Sequence, residues 1–250
     1  MKTKRLLLLV SLLAVTTLAC SVVNLITSSG TDDEPQNVVV SEPTIIVQQP
    51  SSGGGSSGGV AASSLPISED FSDPGSGWEI GSYDAGDVGY ANGRYFVTSL
   101  EEGNTMWGEY PGDFSDVIID IDTYQVQGPP TNNNSYGVIC RLIPGLEVNA
   151  TDGYSFQISG DGYYSIQKIN DGEYEPLVEW TESDVVVQGN AQNHIRASCV
   201  GSTLTLEVNG VQLAQTNDSA YKSGGFGLKA APLEEGMTRI EFDNLFVSQP

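Results

Sequence analysis

Apolar and polar side chains exchange places every second residue along much of the C-terminal three quarters of the chain. Tyr154-Ser155-Phe156-Gln157-Ile158 alternates strictly, and Val117-Ile118-Ile119-Asp120-Ile121-Asp122 does so after one doubled apolar position. A period of two marks a half-buried strand, because successive side chains on an extended backbone point to opposite faces. Turn chemistry separates the runs. Ser159-Gly160-Asp161-Gly162 leads from the first run into residues 163–169, and Asn209-Gly210 joins residues 203–208 to 211–215. Both turns set Gly beside Asn or Asp, the residues that tolerate the positive φ of a tight hairpin. No stretch repeats its apolar positions at helical spacing. About a dozen short strands punctuated this way predict an all-β fold, two antiparallel sheets stacked as a jelly-roll sandwich.

Upstream of Leu65 the pattern stops. Residues 21–64 hold no Lys or Arg and little aromatic content, and they include Ser51-Ser52-Gly53-Gly54-Gly55-Ser56-Ser57-Gly58-Gly59. Such a composition cannot bury a core. As a flexible coil of about 45 residues it has a root-mean-square span of roughly 35–40 Å, the reach of a tether. Pro35, Pro43 and Pro50 flank the short apolar runs 38–40 and 45–47 and disfavour a sheet ladder there. Ahead of the tether, Lys2, Lys4 and Arg5 precede the apolar residues 6–15, and Thr17-Leu18-Ala19-Cys20 offers a small-residue cleavage site. This is the layout of an export signal.

The tetrapeptide resembles the lipobox of bacterial lipoproteins, with Thr17 where that motif usually has Leu. The resemblance implies cleavage before Cys20, diacylation of Cys20, and an extracytoplasmic protein held to a bacterial membrane by its N-terminal lipid, at the cell surface or periplasmic face. Ordinary secretion is one alternative and an uncleaved membrane anchor another, since Val22, Val23, Leu25 and Ile26 extend the apolar stretch to about the 20 residues a span needs. Asn24 and several Ser and Thr residues oppose it. The expected organisation is therefore a signal peptide over 1–19, a tether over 20–64 and a sandwich domain over 65–250.

Charge narrows the partners. Across 250 residues, 10 Lys and Arg face 32 Asp and Glu, a net charge of −22. Loss of residues 1–19 removes three basic residues and no acid, so the mature chain becomes more acidic still. A surface of this sign repels phosphate backbones, which excludes duplex nucleic acid as a partner and disfavours anionic lipid surfaces. With 29 Gly, 12 Pro and 17% charged residues, the composition also excludes coiled-coil, collagen-like and polytopic membrane classes.

A resemblance is carried by the order of several segments: Asp70-Phe71, Trp78, Gly93-Arg94-Tyr95-Phe96-Val97, Tyr136-Gly137-Val138-Ile139-Cys140-Arg141, Tyr154–Ile158, Asp161-Gly162-Tyr163, Asn193-His194-Ile195, Leu206-Glu207-Val208-Asn209-Gly210, Gly224-Gly225-Phe226-Gly227-Leu228 and Phe242-Asp243-Asn244. Together they resemble the concanavalin A-like lectin and glucanase superfamily, most closely its laminin G-like and keto-disaccharide-hydrolase-like modules. The resemblance implies a concanavalin A-like sandwich. It leaves function open among lectins, hydrolases and spacers, because one fold hosts many sites.

Laminarinase-type members of the superfamily carry E-x-D-x-x-E on a strand, the outer carboxylates serving as nucleophile and acid/base. Here Glu241-Phe242-Asp243 is followed by Asn244-Leu245-Phe246, so the third acid is missing and no catalytic pair is assigned. His194 is the only histidine and has neither a Gly-x-Ser-x-Gly elbow nor a second histidine with it. Cys140 and Cys199 remain after Cys20 is lipidated. Val138, Cys140 and Leu142 share one face of a strand, as do Ile195, Ala197 and Cys199, so both thiols point inward and a disulfide is expected over two free thiols.

Sugar binding asks for aromatic faces against the pyranose and for amide or charged groups against its hydroxyls. The candidates are Trp107, Tyr110, Tyr124, Arg141, Gln157, Tyr163, Gln167 and Trp180. Calcium is a possible cofactor, because Asp70 with Asp73 and Asp84 with Asp87 supply the loop oxygens that hard cations prefer, as do Asp113, Asp116 and Asp152. The expected function is a non-catalytic binding or adhesion module for a glycan or a surface protein. A saccharide hydrolase or lyase with an unrecognised acid pair is one alternative, and a structural spacer or assembly partner another.

Overall fold

The structure is a computed structural model that describes residues 64–145 and 150–250. The export signal, Cys20 and the tether lie outside the described residues. Strands numbered along the chain form two sheets. The larger contains β1 (Ile67–Glu69), β2 (Gly81–Tyr83), β3 (Gly86–Ala91), β4 (Arg94–Ser99), β6 (Val117–Gln127), β11 (Gln192–Val200), β12 (Thr203–Val208), β13 (Val211–Asn217) and β15 (Thr238–Ser248), ordered β13-β12-β11-β6-β15-β4-β3-β2 with β1 also on β15. The smaller contains β5 (Met106–Phe114), β7 (Asn134–Pro144), β8 (Thr151–Ile158), β9 (Tyr163–Asn170), β10 (Glu173–Glu182) and β14 (Gly224–Pro232), ordered β10-β9-β8-β7-β14-β5. Every pairing is antiparallel. The predicted jelly-roll sandwich is the observed fold.

The alternation read from sequence sorts side chains as expected. Ile119, Ile121, Ile195, Ala197, Leu206 and Phe242 of the larger sheet are buried in one cluster with Tyr136, Val138, Phe156, Ile166, Phe226 and Leu228 of the smaller. Burying each large apolar side chain contributes about 1.5–3 kcal/mol, the main term holding the layers together. The Asn209-Gly210 turn joins β12 to β13 with both residues at positive φ, 51° and 79°. The second predicted hairpin joins β8 to β9, with Gly162 at 100°.

Cys140 of β7 and Cys199 of β11 form a disulfide, so the bridge ties the two sheets across the core. Arg141, next in sequence, departs from expectation. It sits at φ 51°, and the register between β7 and β8 slips between Cys140 and Ile143. A bulge of this kind reverses which face the following residues occupy. Arg141 is therefore buried and donates to the carbonyls of Ser115, Tyr221 and Cys199, with Asp116 at 3.3 Å. Leu142 moves to the outer face with Ile139. The expected common face of Val138, Cys140 and Leu142 thus fails at its last member.

Candidate functional site

The outer face of the six-stranded sheet is hollowed, and its lining follows from register. Trp107 on β5 pairs with Lys229 on β14, Lys229 with Gly137 on β7, Gly137 with Gln157 on β8, and Gln157 with Ser165 on β9. A second row runs Glu109, Gly227, Ile139, Ser155 and Gln167. These residues alternate with core residues such as Phe226, Leu228, Tyr136, Val138 and Phe156, so they share the opposite face.

Two hollows lie on this face. The larger, about 950 Å³, is bordered by Glu79, Asp84, Glu109 and Glu173 and by the aromatic rings of Tyr83, Trp107 and Tyr174. The smaller, about 180 Å³, is lined by Ser135, Gln157, Gln167, Trp180 and Lys229. Thr105 and Tyr174 border both, so the hollows adjoin. Tyr174, from an edge strand, interacts through its hydroxyl with Thr105, beside the opposite edge strand, which requires the sheet to curl around the depression. An apolar floor of Ile139, Leu142 and Ile169 supports Trp107 and Tyr174.

The floor of the smaller hollow is polar and internally hydrogen-bonded. Lys229 is 2% exposed. Its Nζ donates to Ser135 Oγ at 2.8 Å and to Gln157 Oε1 at 2.6 Å, and it lies 4.6 Å from the centre of the Tyr174 ring. Ser135 Oγ also donates to Gln157 Oε1 at 2.8 Å, and Gln167 Nε2 donates to Ser165 Oγ. Gly137 explains how a lysine crosses to a glutamine two strands away. It stands between them in register without a side chain, and a Cβ there would meet the Phe156 carbonyl oxygen at 2.2 Å. Burial pushes the Lys229 ammonium down to about 7, and burial pushes the Tyr174 hydroxyl up to about 12.

The wall of the larger hollow is braced from the core. Tyr95, wholly buried, donates its hydroxyl to the Glu79 carbonyl at 2.7 Å, and Glu79 N donates to the Glu109 carbonyl. Gly108 is required there, because a Cβ at that position would lie 1.7 Å from the Tyr95 hydroxyl. The Tyr83 hydroxyl donates to the Glu79 carboxylate. Burial, with the nearby Glu79 charge, raises the Glu109 carboxyl above its ordinary value.

Of the residues proposed from sequence, Trp107, Gln157, Gln167 and Trp180 line these hollows. Tyr163 shares their strand face by alternation but lies at the turn end of β9, outside both linings. Tyr110 does not join them: its ring stacks on Phe226, 5.1 Å between centres, in the core. Tyr124 lies on the larger sheet under the Arg94 guanidinium, and Arg141 is held between the sheets. Asp70 spends its carboxylate on Ser72 and Asp73 on Gly75 N. Asp84 borders the larger hollow while Asp87 pairs with Ser82 in the β2–β3 hairpin. Among the described residues no three His, Cys, Asp or Glu side chains come together as a cation would need, so the proposed calcium ligands do not converge.

Sequence reasoning missed Lys229, Tyr174, Glu79, Glu109 and Ser135. One signal was present. In Phe226-Gly227-Leu228-Lys229-Ala230-Ala231, period two sets Lys229 opposite the core side chains and beside small residues, which marks a lysine lying flat on a sheet face.

Searches by sequence found no matching family model and no matching curated protein. Solved structures match by shape. The β-glucanase of Bacillus licheniformis aligns with a TM-score of 0.57 at 7% identity, over 74% of this chain and 98% of its own. A Bacillus subtilis protein of unknown function with a galectin-like fold gives 0.56 at 8% identity, over 73% and 94%. A Clostridium perfringens endo-β-galactosidase that releases GlcNAcα1-4Gal gives 0.55 at 9%, over 75% of this chain and 63% of its own. The fold is a concanavalin A-like sandwich. At these identities the likeness concerns shape, and function must come from the site.

Proposed function

We propose that the chain is a glycan-binding module of the bacterial exterior, tethered through lipid on Cys20, that holds a saccharide along the outer face of its six-stranded sheet. The observation carrying this reading is the convergence of Trp107, Tyr174 and Trp180 with the amides of Gln157 and Gln167 around two adjoining hollows. Aromatic faces cover the apolar side of a pyranose, and amides satisfy its hydroxyls, which is the chemistry a sugar site needs. The matched shapes include saccharide-active proteins, which supports the class of ligand.

Electrophoresis of the full chain through native gels containing different polysaccharides tests it. Retardation by at least one polysaccharide is expected, reduced in folded Trp107→Ala and Trp180→Ala proteins. Unchanged mobility with every polysaccharide would leave a structural spacer as the better account. One observation favours a second reading, a saccharide hydrolase. Glu109 and Glu79 border the same hollow, and burial raises the Glu109 carboxyl, the direction in which a general acid is tuned. Release of reducing ends by wild type, abolished in Glu109→Gln with binding intact, would replace the binding module with that enzyme.

A further inference from the structure

Lys229 is a basic side chain buried in the floor of the smaller hollow, and its hydrogen-bond partners are the neutral oxygens of Ser135 and Gln157. Among the described residues no carboxylate forms an ion pair with it. This is unusual in a domain where acids far outnumber bases, because a buried ammonium normally acquires a counter-charge. The acids of this face lie in the neighbouring hollow: Glu79, Asp84, Glu109 and Glu173 border that one, while Lys229 is the sole charged residue lining the smaller. The two adjoining hollows therefore differ in charge, one acidic and one cationic, with the Thr105 and Tyr174 contact at their shared border.

From this division we infer that the glycan carries an isolated carboxylate, a uronic acid set in an otherwise uncharged chain, with the uronate seated over Lys229 between Tyr174 and Trp180 and neutral sugars along the acidic hollow. The inference rests on the glycan-binding reading and names the ligand of that same face. A carboxylate has two acceptor oxygens, one to take an N–H from the Lys229 ammonium and one to take an amide N–H from Gln157 or Gln167. Tyr174 and Trp180 border the position and offer their rings to the sugar that carries the carboxylate. The acidic hollow sets the second condition. A polymer with a carboxylate on every residue would press like charges against Glu79, Glu109 and Glu173, a direct penalty at close range.

The test compares uronate-bearing polysaccharides with the same polymers after their carboxyl groups are reduced to alcohols, measured by affinity electrophoresis and titration calorimetry on the full chain. The probes are glucuronoxylan, in which glucuronate branches stand apart on a neutral backbone, and polygalacturonate, in which every residue is charged. Glucuronoxylan should bind, and its reduced form should bind about tenfold to a hundredfold more weakly, the loss expected for one hydrogen-bonded charge contact. Polygalacturonate should bind less tightly than glucuronoxylan. Lys229→Met should lose the same factor for glucuronoxylan, so that the native and reduced polymers bind the variant alike. Gln157→Glu is the second variant: it supplies Lys229 with an internal carboxylate and should abolish the preference for the native polymer without exposing a buried charge. Equal binding of native and reduced polymers overturns the inference and leaves glycan binding standing. Tighter binding of polygalacturonate, or of a sulfated neutral polysaccharide over any uronate, also overturns it. Failure of every native and reduced probe to bind, with retardation by some other polysaccharide, overturns the inference alone; failure of every polysaccharide removes both readings.

Discussion

Replacing Lys229 with methionine keeps the length of the side chain and drops the charge, and it should stabilise the fold at neutral pH. Burial alone takes the ammonium from 10.5 to about 7, a cost on the order of 5 kcal/mol. Two charge-assisted hydrogen bonds, to Ser135 and Gln157, oppose that cost by about 1.5 kcal/mol each. The balance is a penalty of about 2 kcal/mol, which Lys229→Met removes while the Ser135 to Gln157 hydrogen bond persists. For a domain of this size that is a rise in melting temperature of about 4–8 °C. The pH dependence identifies the cause. A lysine depressed by folding leaves the unfolded chain binding more protons between the folded and unfolded values, so this group makes stability rise with pH toward 10.5. Denaturant unfolding of wild type and variant from pH 6 to 10 should show the variant ahead at pH 6 and the two curves converging as pH rises. A variant less stable than wild type, or a constant difference across the range, would refute the assignment of Lys229 as a charge held against a stability cost.

The other predictions concern the frame and its titration. Asp120 and Asp122 raise His194 to about 8, against the 6.5 of a free histidine, so its contribution is complete below pH 6.5 and is lost as pH rises through 8. The ring is 42% exposed, which holds the effect to about 1 kcal/mol or less, and His194→Gln should flatten that part of the stability profile. Reduction of the Cys140–Cys199 bridge, which spans 59 residues, should lower stability by up to about 4 kcal/mol, read as a shift in the denaturation midpoint with and without reductant. Arg141→Met leaves the Ser115, Tyr221 and Cys199 carbonyls without their donor and should cost about 3 kcal/mol in chemical unfolding. Gly108→Ala should displace the Tyr95 hydroxyl from the Glu79 carbonyl and destabilise by about 1–3 kcal/mol, with thermal melting as the readout.

Period-two alternation and Asx-Gly turns carried most of the architecture. They are local signals, each written within a few residues, and β8, β9, β12 and β13 lie where they indicate. The inward thiols were legible for the same reason. What alternation cannot supply is the phase of a strand across an irregularity. The bulge at Arg141 reversed the faces of Arg141 and Leu142, and no turn residue announced it. Tyr110 shows a related gap: it is one strand position past Glu109, and only the pairing of β5 with β14 decides that Trp107 and Glu109 face outward while Tyr110 meets Phe226. The sugar-face candidates Trp107, Gln157, Gln167 and Trp180 come from four different strands, and register assembled them. Glu241 and Asp243, set aside in sequence for want of a third acid, pair with Arg94 on the larger sheet, away from the hollowed face.

Tryptophan quenching reports most directly on whether a glycan occupies that face. Trp78 lies in the core at 4% exposure, whereas Trp107 and Trp180 line the two hollows, and these three are the only tryptophans in the chain. Acrylamide quenching of the full chain, recorded with and without saturating glucuronoxylan, should fall on binding, and the protected fraction should vanish in a Trp107→Phe, Trp180→Phe double variant. Binding that leaves quenching unchanged would place the saccharide elsewhere on the molecule and contradict the account.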